Sequence, residues 1–217
     1  FKNKNLGVVL KILSDYSFIE LECELSAYPH FRVKQIFDAI MQAKDYDQIN
    51  LPKAMIEELK KNYILKPLEI NKVLVSKDGT KKYLLKLYDN NLFECVFLTQ
   101  DYGNTICMST QVGCRMGCKF CASTIGGLIR NLTAGEMLSA IAVVNADNGK
   151  CNERNFTNIV LMGSGEPFDN YDNVVKWLSL ITSEKGFNIS ERNISISTCG
   201  LVDKIYEFSA LHSAITL

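Results

Sequence analysis

The sequence predicts an α/β protein in which a partial (βα) barrel follows a small N-terminal helical module and a β-hairpin. From about Thr105 onward, short apolar runs alternate with amphipathic segments, which indicates βαβ units and a parallel sheet. Before that point, apolar residues recur at helical spacing in the first third of the chain. We therefore predict a helical module at residues 1–70, a hairpin connector at 71–99 and a barrel core at 100–217.

Composition places the chain among globular proteins and narrows its function classes. The 217 residues are 47% hydrophobic, which is enough apolar material for a core. Since 24 basic residues balance 24 acidic ones, any contact with nucleic acid must come from a local patch. No window approaches the roughly 18 consecutive apolar residues of a membrane span, and the opening FKNKNLGVVLKIL lacks a signal-peptide pattern. We expect a reduced, cytoplasmic protein with no membrane contact.

Two helices are predicted in the N-terminal module. The first follows Pro29, because five apolar residues fall on one helical face: Val33, Ile36, Phe37, Ile40 and Met41. The second opens at Pro52, which suits a first helical turn, and is predicted to bury Met55, Ile56 and Leu59. The lysines of the module are Lys34, Lys44, Lys53, Lys60 and Lys61. They are candidates for phosphate contacts, although a solvated helix face is the simpler interpretation.

The connector is predicted as a β-hairpin. In KKYLLKLYDNNLFECVFLT, two apolar runs flank Asp89, Asn90 and Asn91, residues that tolerate turn conformations. In the core, the predicted strands are TICMST, NIVLM, NISIS and AITL, and the predicted helices start at Thr133, Tyr171 and Leu201. Thr133 and Glu136 have the spacing of a capping box. Because AITL ends the chain in a fourth strand, the barrel cannot close, and we expect a C-terminally truncated fragment.

The segment GCRMGCKFCAST contains three closely spaced cysteines, Cys114, Cys118 and Cys121. A structural zinc site needs four ligands, usually as two separated Cys-x-x-Cys pairs, and this segment supplies one group of three. An iron–sulfur cubane held by three thiolates keeps one iron free for another ligand, and such clusters draw on short cysteine runs of this kind. The odd number of cysteines therefore indicates chemistry at an open iron.

Simpler interpretations of these cysteines remain open. Buried free thiols are common, but the glycines and the charged Arg115 and Lys119 make a poor core segment. Disulfides need an oxidising compartment, which the sequence does not indicate. Zinc binding requires a distant fourth ligand, for which the candidates are Cys107, Cys151 and Cys199.

Three loops are predicted to meet at one edge of the sheet, since the carboxyl ends of parallel strands lie together. They are the cysteine loop, GSGEP at 163–167, and Ser-Thr-Cys-Gly at 197–200. The Cys-x3-Cys-x2-Cys spacing and the Gly-Glu-Pro loop resemble the radical S-adenosylmethionine superfamily. More narrowly, TICMSTQVGCRMGCKFCASTIGGLIRNLTAGE, LMGSGEPFDNYDNV and RNISISTCG resemble the adenine-C2 RNA methyltransferases with dual specificity for 23S rRNA and tRNA. The resemblance covers about residues 80 to 210.

The resemblance implies two cofactors and the residues that hold them. A [4Fe-4S] cluster would be ligated by Cys114, Cys118 and Cys121, and its free iron would chelate S-adenosylmethionine. Cofactor contacts are implied for Gly165, Glu166 and Ser197. Glycine lets backbone approach closely, and a carboxylate suits an ammonium group. The fold implied is the radical S-adenosylmethionine barrel, here in part.

The resemblance also implies a catalytic pair. Glu94 matches the proton acceptor of the family, although an outward strand residue is its simpler interpretation. Cys107 matches the resolving cysteine, which attacks the sulfur of a methylene-linked RNA adduct and leaves a disulfide. The family carries the methyl group on a cysteine of its C-terminal segment, and neither Cys151 nor Cys199 matches that position. The cluster needs a one-electron donor such as a flavodoxin.

Two other functions remain open at this point. The related adenine-C8 methyltransferases use the same chemistry but typically carry alanine where this chain has Pro167, which favours C2. A protein of another class, a non-catalytic iron–sulfur or zinc protein that binds RNA through the helical module, also fits the sequence. For either RNA-binding function, the basic residues nearest the predicted site are Arg115, Lys119 and Arg130.

Overall fold

The computed structural model describes residues 10–212 and 214–217, and its N-terminal part consists of three helices around their own apolar core. The helices are α1 (Phe18–Glu24), α2 (His30–Met41) and α3 (Lys53–Asn62), and the short strands β1 (Lys11–Ile12) and β2 (Tyr63–Ile64) pair in parallel. Both predicted helices are present, directly after Pro29 and Pro52. The predicted core residues of α2 and α3 are buried, except that Met41 and Ile56 are partly buried.

A six-stranded mixed sheet forms the centre of the protein, in the order β10-β9-β6-β5-β4-β3. Its strands are β3 (Leu68–Val75), β4 (Lys81–Leu87), β5 (Leu92–Leu98), β6 (Thr105–Met108), β9 (Asn158–Leu161) and β10 (Ile194–Ile196). The predicted hairpin is β4 and β5, and Asn90 in its turn has the positive φ of +68° that asparagine tolerates. Since β5 pairs with β6, the hairpin is part of the same sheet as the predicted core.

The parallel part of the sheet matches the predicted βα alternation. Strands β6, β9 and β10 run parallel to one another, and α4 (Ala134–Asp147), α5 (Tyr171–Thr182) and α6 (Val202–Leu211) follow them in the chain. The predicted fourth strand is present only as a single parallel bridge between Ser195 and Thr216. The strands that the structure describes therefore form an open sheet, and the fold is α/β with a partial barrel. In the described part of the chain, no helix is long and apolar enough to cross a membrane.

Helix α4 packs between the sheet and the N-terminal helices. Thr133 caps it as predicted, accepting a bond from the Glu136 N–H while the Glu136 carboxylate accepts one from the Thr133 N–H. Residues 134–145 of this helix are all buried, and most of them are apolar. On β4 and β5, alternate residues face this helix and are buried: Tyr83, Leu85, Leu87, Phe93, Cys95 and Phe97. The other face of these strands is therefore left open, and it carries Glu94.

A short antiparallel pair that the sequence did not predict encloses the cysteine loop. Strand β7 (Gln111–Gly113) leads into the loop, and β8 (Leu128–Asn131) leads out of it. These strands are too short to show a periodicity of their own, and their pairing spans the whole cysteine loop. The pair fixes both ends of the loop beside the carboxyl ends of β6 and β9, because Leu132 N–H donates to Thr110 O and Thr110 N–H to Ser164 O.

The N-terminal helices are fixed to the core through the first turn of α4. Asp15 Oδ1 accepts a hydrogen bond of 2.5 Å from Gly135 N–H, and Ser14 Oγ donates to Gly135 O at 2.9 Å. Gly135 has to be glycine here, since a Cβ would lie 2.4 Å from the Asp15 nitrogen. Burial raises the pKa of Asp15, although the bonds from Gly135 and Thr133 oppose this shift.

We predict that Asp15→Ala lowers the free energy of unfolding by about 1–3 kcal/mol, because a buried N–H loses its acceptor. Asp15→Asn keeps an acceptor oxygen and serves as the matched control. Since the folded carboxyl holds its proton to a higher pH than the unfolded one, its stabilising effect is complete below about pH 4 and is lost as the pH rises through the folded pKa. Urea unfolding at pH 4 and pH 7 should therefore show Asp15→Asn gaining stability relative to the parent as the pH rises. A constant difference would contradict this.

Candidate cofactor and active site

The cysteine loop is closed at its base and turns on two glycines. Gly113 and Gly117 have φ values of +77° and +73°, which L-residues with side chains rarely adopt. At Gly113 a Cβ would also lie 2.0 Å from the Gly127 carbonyl oxygen, to which Cys114 N–H donates. The two ends of the loop therefore touch, and the three cysteines project from one compact turn.

The three cysteines and the three predicted cofactor residues line one cavity. This cavity, which we call the cysteine cavity, has a volume of about 300 Å³. Its wall includes Cys114, Cys118, Cys121, Gly165, Glu166 and Ser197. The structure thus brings together all six residues, which come from the ends of β7, β9 and β10. A fourth thiol, that of Cys199, lies on the same wall.

Glu166 joins two of the three loops through its buried carboxylate, which belongs to a residue only 4% exposed. Oε1 accepts from Phe168 N–H at 3.0 Å and from the Thr198 hydroxyl at 2.7 Å. Oε2 accepts from Cys199 N–H at 2.7 Å. Because a carboxylate offers about four acceptor sites, one on Oε2 remains for a further donor.

Gly165 approaches strand β7 more closely than any other residue type would allow. Its φ is +103°, and a Cβ would lie 2.6 Å from the Cβ of Gln111. We expected a glycine here to admit a cofactor, and the structure adds a second reason within the protein itself. The neighbouring Glu166 N–H donates to Gln111 Oε1 at 2.9 Å, so the loop lies flat against β7.

Gln111 connects the cysteine loop to the rest of the site, although nothing in the sequence singled it out. Its fully buried amide donates to Asn131 Oδ1 at 2.8 Å and to Asp169 Oδ2 at 2.9 Å. Asp169 in turn accepts hydrogen bonds on both carboxylate oxygens from the guanidinium of Arg115, inside the cysteine loop. Burial raises the pKa of Asp169, but Arg115 and Gln111 outweigh it and hold the pKa below its usual value.

Glu94 and Cys107 line a second cavity that adjoins the first. This sheet cavity, of about 570 Å³, lies on the open face of β4, β5 and β6. It shares four residues with the cysteine cavity, namely Cys121, Ser123, Met162 and Gly163. Glu94 is half exposed, and its carboxylate pairs with Lys82 Nζ at 2.7 Å. The two predicted catalytic residues therefore lie together, next to a predicted cluster ligand.

Cys107 is a half-buried thiol in a cavity wall, whereas Cys95 on the adjacent strand is a packed core thiol. Burial raises the pKa of Cys107, and a hydrogen bond from the Met162 backbone opposes the shift. Burial and the nearby Cys107 raise the pKa of Cys95 further. The two thiols occupy opposite faces of the sheet, so only Cys107 can reach a molecule in the sheet cavity.

The thiols of the cysteine cavity are of the kind and number that a [4Fe-4S] cluster takes from a protein. The thiols of Cys114, Cys118 and Cys121 line one cavity, and a cubane held by three thiolates leaves its fourth iron for another ligand. The residues present therefore fit a [4Fe-4S] cluster. Among residues 10–212 and 214–217, no three or more Cys, His, Asp or Glu side chains are arranged to hold a single metal ion.

Two of the three basic residues expected near RNA are paired within the protein. Arg115 binds Asp169, and Arg130 binds both Asp89 and the buried Glu136. Arg130 is therefore part of the fold, which the sequence did not indicate, because its partners lie on the hairpin turn and on α4. Lys119 is exposed at the cysteine loop.

Comparison with known proteins shows which family profile and which relatives this chain is similar to. The radical SAM superfamily profile matches residues 108–212, the segment from the end of β6 to the end of α6. A probable dual-specificity RNA methyltransferase RlmN of Clostridium acetobutylicum is 48% identical over 208 residues, covering 94% of this chain and 59% of the relative. The corresponding protein of Clostridium perfringens strain 13 is 47% identical, covering 96% of this chain and 60% of the relative.

A solved structure agrees with these relatives. A radical SAM methyltransferase from Sphaerobacter thermophilus matches with a TM-score of 0.82 and 39% identity, covering 92% of this chain and 60% of that one. The fold predicted for the core is thereby confirmed. The chain spans about 60% of the length of the relatives it matches.

We predict that Gln111→Glu destabilises the protein and lowers the iron retained after anaerobic reconstitution, because it replaces a donor with a carboxylate next to Asp169. The expected loss of stability is about 2–4 kcal/mol, since buried partners lose their hydrogen bonds and like charges face each other. The double variant Gln111→Glu/Asp169→Asn again places an amide opposite a carboxylate, with the two groups exchanged. It should recover part of the lost stability and part of the lost iron. Thermal unfolding measures the stability, and iron analysis measures the iron. If the double variant is worse than the sum of the single variants, the pairing is wrong.

Proposed function

We propose that this chain belongs to the radical SAM superfamily, that it holds a [4Fe-4S] cluster on Cys114, Cys118 and Cys121, and that it binds S-adenosylmethionine beside the cluster. The single observation that carries the proposal is the cysteine cavity, where the three thiols meet Gly165, Glu166 and Ser197. When bound, the cluster supplies the one electron that cleaves the sulfonium. The protein residues would bind the cofactor and fix its orientation.

Glu166 is suited to receive the amino group of S-adenosylmethionine. Three donors from within the protein hold its carboxylate in place, so it would not have to reorganise on binding. One acceptor site of Oε2 is left, and an ammonium provides a charge-assisted donor for it. Ser197 is exposed on the same wall and offers a hydroxyl to the polar part of the cofactor.

We further propose that the protein containing this chain methylates C2 of adenine in 23S rRNA and tRNA. The relatives at 47–48% identity are named as dual-specificity RNA methyltransferases, which supports RNA as the substrate. The sheet cavity would receive the adenine, since it adjoins the cysteine cavity and contains both Glu94 and Cys107. Glu94 would accept the C2 proton, and Cys107 would resolve the sulfur adduct. Pro167, where C8 enzymes typically carry alanine, supports C2 over C8.

We propose that the protein works in the cytoplasm, where a reducing environment keeps cysteines as the thiols that a cluster needs.

The phosphates of the RNA would be met by Lys119 at the cysteine loop and by the lysines of α3. Lys82, Arg115 and Arg130 are paired with acidic groups of the protein.

We predict that Cys118→Ala combined with Cys199→Ala abolishes the cluster after anaerobic reconstitution, because only two of the four thiols on the cavity wall, those of Cys114 and Cys121, remain. Cys151→Ser, which removes a thiol outside both cavities, is the control and should keep about four irons and four acid-labile sulfides per chain. Iron and sulfide analysis with electron paramagnetic resonance measures the result. Full iron and sulfide in the double variant would disprove the ligand assignment.

We predict that Glu94→Gln, made in the protein that contains this chain, slows formation of 2-methyladenosine at least about a hundredfold, the usual contribution of a positioned base. The assay contains a reductant, labelled S-adenosylmethionine and a hairpin RNA, with digestion and analysis of the nucleosides. The matching glutamate of the Clostridium acetobutylicum relative is changed in parallel, so that loss of activity is measured in a whole protein. Methylation at C8 would refute the proposed reaction. An unaffected rate in Glu94→Gln would refute the proposed base.

A further inference from the structure

Four thiols line the cysteine cavity, one more than the cluster assignment uses. Of the three distant cysteines considered as a fourth ligand, Cys107 faces the sheet cavity and Cys151 lies in the loop after α4. Cys199 alone lies on the wall with Cys114, Cys118 and Cys121. It is exposed, follows β10 by three residues, and is absent from the set of cofactor contacts implied by the family resemblance.

The backbone at Cys199 is held in place by the carboxylate of Glu166, which lines the same cavity. Cys199 N–H donates to Glu166 Oε2 at 2.7 Å, and Gly200 N–H donates to the Thr198 hydroxyl at 3.1 Å. Gly200 has a φ of +100°, which ends the turn directly after the thiol. Cys199 lines the same cavity as Cys118 and Cys114. Its position is therefore fixed relative to the cysteine loop.

A cubane held by three thiolates has one iron without a protein ligand, and thiolate is a strong ligand for that iron. We propose, on the basis of the function proposed above, that Cys199 ligates the fourth iron when S-adenosylmethionine is absent and leaves it when the cofactor binds. On ligation the thiol gives its proton to solvent and forms an iron–sulfur bond. On displacement the bond between the iron and the Cys199 sulfur would break, the amino nitrogen and carboxylate oxygen of the cofactor would chelate the same iron with an increase in its coordination number, and the released thiolate would regain a proton from solvent. No electron is transferred in either direction.

Ligation by Cys199 would keep the fourth iron inaccessible to other molecules until S-adenosylmethionine binds. The closed cluster resists chelators and oxidants, because no iron is left open to them. Cofactor affinity is lowered in return, since only the fraction of molecules with an open iron can bind. If Cys199 occupies the iron in roughly nine-tenths of the molecules, its removal tightens cofactor binding about tenfold.

The test compares the parent, Cys199→Ala and the control Cys151→Ser, each reconstituted anaerobically with ⁵⁷Fe. Alanine is chosen because serine can itself ligate iron. Mössbauer spectra without cofactor should show four similar thiolate-bound irons in the parent and in Cys151→Ser, and one distinct iron in Cys199→Ala. Adding S-adenosylmethionine should create the distinct iron in the parent and in Cys151→Ser. Cys199→Ala should also lose iron to a chelator faster and bind the cofactor about tenfold more tightly.

The outcomes separate this inference from the proposed function. Identical spectra for the parent and Cys199→Ala without cofactor, with an intact cluster in both, overturn the Cys199 ligand and leave the proposed function standing. One zinc per chain without sulfide in the parent overturns the proposed function and the inference with it. Because the bond to Glu166 comes from the backbone N–H, the alanine variant should fold normally, and its thermal unfolding beside Cys151→Ser verifies this.

Discussion

The hydrogen bonds of the Glu166 carboxylate hold the site together. A carboxylate removed from water needs donors, and here they come from its own loop and from the loop after β10. The Glu166 N–H adds a bond to Gln111, at the start of the cysteine loop. One residue thus joins the three chain segments whose side chains form the cysteine cavity. These segments are far apart in sequence, and they are held in one arrangement because the buried carboxylate needs hydrogen-bond donors.

The second constraint is the alternation of side chains along β4, β5 and β6. Helix α4 covers one face of these strands, so their buried residues point toward it. Residues of the opposite parity, among them Glu94 and Cys107, are left on the open face. A shift of one residue in register would place both in the core and Cys95 in the cavity. Helix packing therefore decides which thiol is accessible.

Sequence reasoning recovered the features that are encoded locally. The helical periodicity of α2 and the Thr133 capping box lie within short windows, and each identified its element. The cysteine spacing is also local, and its interpretation as a cluster site stays a prediction. So do the roles of Glu166 and Glu94, which come from the resemblance because their sequence surroundings alone are ordinary. The pairing of β7 with β8, the Asp15 contact with α4 and the role of Gln111 were missed. Each of these depends on partners 15 to 120 residues away, whose proximity only the folded chain reveals.

The cysteine loop has few apolar contacts of its own. Cys114 is buried, but Phe120 is 95% exposed and Ile125 is 86% exposed, so burial contributes little to its order. What fixes the loop is the contact between its two ends at Gly127 and the bond between Arg115 and Asp169. Such a loop is ordered at its base and at one side, while the thiols face a cavity. Binding of the proposed cluster at those thiols would add bonds between the loop residues, so cluster binding and ordering of the loop would be coupled.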